Sequence, residues 1–173
     1  MRDGARIPAR TYRRPDVHGA APVVVYYHGG GWTLGRPLDY ESPLTMIADE
    51  TGALVLAPDY RKAPEHKAPT AVLDTYKSLY LDGAPVAADD AQISPLQAAS
   101  HEGAAPALIQ TAEFDPLAPE GADYAAALQR SGVATRLTHY RGVPHGFLNI
   151  PGAAPVAWQA RWEIVDALQG WFA

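Results

Sequence analysis

Residues 23–27, Val-Val-Val-Tyr-Tyr, are apolar on both faces of any strand they form, and Ala53–Tyr60 (ALVLAPDY) is nearly so. Successive strand side chains point to opposite faces, so a strand without polar alternation must be covered on both sides. A parallel sheet with helices above and below meets that demand. The intervening segments supply the helices. Ser42 and Pro43 mark the start of one that Gly52 ends, with Leu44 and Ile47 facing inward. Val72, Tyr76, Leu79 and Tyr80 recur at helical spacing, and a further helix is predicted from about Glu120 to Arg130, stopping before Gly132. The last helix places Trp158, Trp162, Val165, Leu168 and Phe172 on one stripe. Ala107–Phe114 and Thr135–Tyr140 are the remaining strands. Strands alternating with helices give an α/β class with a mostly parallel sheet flanked by helices on both faces.

A chain of 173 residues is sized for one domain, 1–173, with a real core. The net charge of −5 argues against a nucleic-acid surface, which needs clustered basic residues. No cysteine is present, which excludes disulfides, cysteine-based zinc sites and a thiol nucleophile. The opening MRDGARIPAR holds no apolar run, and no window approaches the length of a membrane span. A cytoplasmic location without a membrane span is the expectation.

In an open parallel sheet, reactive groups gather at the carboxyl ends of the strands. Three stretches fall there: His28-Gly29-Gly30-Gly31-Trp32, EFDPL with Asp115, and GVPHGF with His145. Side-chain-free glycines can aim main-chain N–H groups at a developing oxyanion, where one donor is worth about 3–4 kcal/mol of barrier. They equally suit a tight turn needing positive φ. No G-K-[ST] follows, which disfavours a phosphate loop. Asp115 and His145 fall on neighbouring loops, where a carboxylate would fix the imidazole tautomer and raise its basicity. Taken singly, they are also a surface aspartate and a loop histidine. His28, His66, Asp115 and His145 match no metal-ligand spacing.

Taken together, VVVYYHGGGWTLG, APDYRKAPEH, ISPL, TAEFDPLAPEGADYAAAL and YRGVPHGF resemble the hormone-sensitive-lipase group of the α/β-hydrolase superfamily, in the family's order and over most of the chain. The resemblance implies an α/β-hydrolase fold. It also implies carboxylic-ester hydrolysis through a serine acyl-enzyme, with a small acyl ester as substrate and no metal or cofactor. By position, Gly30 and Gly31 match the oxyanion donors, Asp115 the triad acid and His145 the base. His28, beside Gly29, matches a residue that braces the loop.

The family's G-x-S-x-G nucleophile elbow is missing. The five serines are Ser42, a helix cap; Ser78, within a helix; Ser94, in the SPL turn; Ser100, in a polar loop; and Ser131, at a helix end. Sequence matching the family resumes directly after Leu79-Tyr80, so an internal deletion is expected near residues 78–82 and the fold is a truncated one. In the family's sheet two strands separate the HGGG strand from the acid strand, a gap of roughly 14 Å at about 4.8 Å per spacing. Their loss leaves either a sheet closed across the gap or open apolar edges that recruit another chain, so a homo-oligomer formed through an exposed sheet edge is anticipated. Activity is expected to be lost or strongly reduced. The other reading is a non-catalytic small-molecule binding or interaction module on the same scaffold.

Overall fold

In the computed structural model, which describes residues 6–31, 33–63, 87 and 89–173, the chain divides into two compact units that meet in sequence near residue 88. The expected deletion point, the helix through Val72–Tyr80, Ser78, His66 and Trp32 lie outside the described residues.

The first unit is built on a three-stranded sheet of β1 (Ala9–Tyr12), β2 (Val23–Val25) and β3 (Leu54–Pro58), in the order β1-β3-β2. β2 runs parallel to β3, with Val24 beside Val55, while β1 is antiparallel, with Ala9 beside Pro58. β1 escapes sequence analysis because ARTY has neither an apolar run nor alternation, and three of its four residues are exposed. Helix α1 (Glu41–Thr51) buries Leu44, Ile47 and Ala48, and β3 turns Val55 and Ala57 inward. Gly52 ends α1 in the left-handed region (φ 68°), as its position predicts. Ser42 is not the helix cap. A 3-10 turn over Pro37–Tyr40 runs straight into α1, Tyr40 is the N-cap, and Ser42 falls inside the first turn. That turn has its own closure, in which the Arg36 amide donates to Asp39 Oδ2 at 3.0 Å.

The second unit holds β4 (Ala107–Phe114), α2 (Ala118–Arg130), β5 (Thr135–Pro144) and α3 (Val156–Phe172). β4 and β5 form a parallel pair covered on both faces. α2 lies on the Ile109/Thr111 face, where a Cβ on Gly121 would come within 2.9 Å of Thr111 Cγ2, so glycine allows the close approach. α3 lies on the other face, where Ala112, Tyr140, Val143 and Phe147 pack with Ala157 and Ala160. Of the stripe predicted for this helix, Val165 is buried but the tryptophans are not. Trp158 and Trp162 are nearly half exposed, and the buried positions are Ala157, Ala160, Arg161, Glu163 and Val165. Small side chains bring the helix axis near the sheet, and indole rings do not fit beneath it. Among the described residues, the terminal strands are β1 and β2 in the first sheet and β4 and β5 in the second. Among the described residues, no helix is long and apolar enough to cross a membrane.

Glu163 ties α3 to the sheet. Its buried carboxylate accepts hydrogen bonds from Thr138 Oγ1 (2.5 Å), Gln110 Nε2 (2.6 Å) and Tyr140 Oη (2.7 Å), and it pairs with Arg136. Burial alone would raise its pKa. The three hydrogen bonds and the Arg136 charge outweigh that and hold the carboxyl below its ordinary range. Burial, with the Glu163 contact, pushes the Tyr140 phenol upward, which keeps its donor proton in place. A carboxyl with a depressed folded pKa contributes its full stability above the unfolded value of about 4.3 and loses it as pH falls through the folded value. Glu163→Ala, which removes the acceptor of the buried Tyr140 hydroxyl and of the part-buried Thr138 and Gln110, is expected to cost about 3 kcal/mol at pH 7 in urea unfolding. The stability lost by the parent chain below about pH 4 should be correspondingly smaller in the variant.

Candidate active site

At the end of β2 the chain turns inward at His28, which is buried. Its ring stacks on Tyr60, with centroids 4.2 Å apart and planes 14° apart. Nδ1 lies 2.7 Å from the Gly29 carbonyl, an acceptor only, so Nδ1 carries a hydrogen. Nε2 is buried with no hydrogen-bond partner, and Asp59 stands 3.8 Å away, held by Lys62. The Tyr60 hydroxyl donates to the His28 carbonyl at 2.7 Å. Burial first, then the nearby Tyr40 and Asp59, pushes that phenol up to about 12, so the donor stays protonated.

The glycine loop needs its glycines. Gly30 has φ 128° and Gly31 φ 54°. The Gly30 carbonyl accepts from the amides of Thr33 (3.2 Å) and Leu34 (2.9 Å). A Cβ on Gly30 would sit 2.1 Å from the Leu34 carbonyl oxygen, and one on Gly29 would sit 2.9 Å from the Tyr40 hydroxyl. Among the described residues, no acceptor engages the Gly30 or Gly31 amide. The positive φ values are those the tight-turn reading needs.

In the second unit the structure brings Asp115 and His145 together. His145 Nδ1 donates to Asp115 Oδ2 at 2.8 Å, and the other carboxylate oxygen accepts the Leu117 amide at 2.8 Å. The Asp115 side chain is 13% exposed and the His145 side chain 68%, so the acid is sheltered while the imidazole Nε2 edge faces outward. The ladder explains the meeting. From Ala107↔Thr135 to Ala112↔Tyr140 the register is constant, but Phe114 pairs with Pro144, so β5 carries two extra residues opposite Glu113. Without them position 145 would stand opposite 117 rather than 115. Gly142 takes φ 73° in this bulge, and its amide donates to Glu113 Oε2 at 2.7 Å. Gly146 (φ 76°) then turns the chain into Phe147–Asn149.

That turn is held by Arg161, which the sequence does not flag. Its buried guanidinium donates through Nε (2.9 Å) and Nη2 (2.6 Å) to the Leu148 carbonyl, and burial lowers its pKa. A charged residue next to Ala160 on a helix of otherwise small inward positions was the available signal.

Ser94 caps a 3-10 turn, Ser131 is the C-cap of α2, and Ser100 Oγ accepts the Glu102 amide. These places agree with the sequence reading. Among the described residues, no group of three His, Asp or Glu side chains is arranged to hold a metal.

Alternating strands and helices with an acid–base pair at the strand ends define an α/β-hydrolase. A family model for the α/β-hydrolase fold matches residues 24–80 and 72–149, and the chain belongs to that family. It is 30% identical over 232 residues to carboxylic ester hydrolase LipN of Mycobacterium tuberculosis, covering 83% of this chain and 61% of that protein. To carboxylesterase NlhH of the same organism it is 29% identical over 249 residues, covering 94% of this chain and 78% of the relative. That span is far longer than the residues this chain contributes, so about 85 positions face no residue of it. The fold is similar to that of EstE1, a thermostable carboxylesterase cloned from a metagenomic library (TM-score 0.88, 23% identity, 97% of this chain and 85% of that one). A Pyrobaculum calidifontis esterase superposes with TM-score 0.79 at 26% identity, over 95% of this chain and 81% of that one.

Three substitutions test the local geometry. Gly142→Ala meets no neighbouring atom, so its cost is the left-handed backbone alone, about 1–2 kcal/mol, with Gly142→Asn costing less. Gly30→Ala adds a collision to the same kind of strain and is expected to cost more than Gly142→Ala. Urea unfolding of the three variants gives the ranking.

Proposed function

We propose that this chain is a carboxylesterase scaffold that retains its acid–base pair but lost its nucleophile through an internal deletion near residues 78–82. The supporting observation is the 2.8 Å His145–Asp115 bond in a sequence with no G-x-S-x-G. The restart of the family match at residue 72, after running to 80, and the relatives' additional positions support the deletion.

In this reading Asp115 fixes Nδ1–H, and His145 Nε2 takes a proton from water as its oxygen adds to an ester carbonyl. The same proton then passes to the departing alkoxide. By the family resemblance, the role of oxyanion donor falls on Gly30 and Gly31 of the first unit, in a loop that His28 and Gly29 brace. Water replaces a serine oxygen, and loss of a triad serine costs on the order of a million-fold in kcat. The substrate class is a small acyl ester, by analogy with the esterase names of the relatives.

The test pairs a short-chain p-nitrophenyl ester assay with a serine-directed fluorophosphonate probe. The expected result is a rate many orders of magnitude below that of an intact esterase, further reduced in His145→Ala, with no serine labelled. Efficient turnover with one serine labelled stoichiometrically would overturn the reading.

A further inference from the structure

β2 is bonded to β3 through the Pro22 carbonyl and the Tyr26 amide, so alternation turns the main-chain groups of Val23, Val25 and Tyr27 away from β3. Among the described residues, nothing bonds to them. Their side chains share one face and are 56%, 48% and 70% exposed. Natural edge strands are blunted by charge, by lysine or by proline. From Val17 to Gly35 this chain has no Asp, Glu, Lys or Arg, and no proline after Pro22.

We infer that β2 is a homodimer edge, pairing antiparallel with β2 of a second copy about a twofold axis at Val25. A twofold contact sets the residue on the axis against its own copy and every other residue against its mirror position, so a charge on the axis would meet a like charge. This uncharged stretch has none to oppose it. Centring on Val25 places Val25 against Val25 and Val23 against Tyr27, pairs of β-branched and aromatic side chains that stabilise antiparallel ladders. The two three-stranded sheets become one of six strands. Of the other terminal strands, β4 is a poorer candidate. Thr111 and Ala112 are already buried, and its Glu113 is committed to Gly142. The pairing is independent of whether the chain hydrolyses esters.

The absence of cysteine makes the test clean. Facing hydrogen-bonded residues in an antiparallel pair have Cα atoms about 5.5 Å apart, within disulfide range. Val25→Cys is expected to cross-link to a dimer under mild oxidation, whereas Ala9→Cys, on the sheet's opposite edge strand, stays monomeric. The unsubstituted chain should sediment as a monomer–dimer equilibrium. Val25→Lys, which sets two ammonium groups on the axis, should weaken that equilibrium by at least about tenfold with its far-UV circular dichroism unchanged. A parent chain that sediments as a monomer at every concentration overturns the inference. So does cross-linking of Ala9→Cys as fast as Val25→Cys, the mark of indiscriminate association.

Discussion

A two-residue slip in the parallel ladder between β4 and β5 decides where His145 comes to rest. A ladder in constant register would carry the imidazole past Asp115. The bulge absorbs the excess, Gly142 supplies the left-handed turn, and Glu113 accepts the amide that the ladder leaves over. Behind it, Val143 and Phe147 enter the core while Arg161 pins the Leu148 carbonyl. The acid–base pair is therefore a product of strand pairing and helix docking within one unit, and its side chains add only the final 2.8 Å contact.

The first unit organises its loop differently. Burial of His28 against Tyr60 fixes the entry to the glycines, and a shared acceptor, the Gly30 carbonyl, closes them. Rigidity comes from stacking and from main-chain bonds, so a segment with the least intrinsic stiffness is held in one shape.

Much of this was legible in the sequence. Ala107–Phe114 was placed at both ends, because an apolar strand bounded by Pro106 and Asp115 leaves little freedom. The glycine C-cap of α1 and the Asp115–His145 pair were visible as well. Three features were not. β1 is a short exposed strand whose pairing is set by β3 rather than by its own pattern. β5 runs past Tyr140 to Pro144 because its bulge lets pairing resume, and a bulge leaves little trace in hydrophobic periodicity. The inner face of α3 is not read from the apolar stripe, because large aromatic residues dominate such a stripe while distance to the sheet favours the alanines.

The strand pairings have a further property. β2 meets β3 across a sequence separation of 31 residues and β4 meets β5 across 28, and every described ladder lies wholly before residue 59 or wholly after residue 106. No described pairing closes a loop through the intervening stretch. Loop-closure entropy depends on the residues enclosed, so lengthening or shortening the chain between those limits leaves the closure cost of each sheet unchanged. A gene can thus lose or gain an entire block there while both flanking sheets keep their own means of assembly.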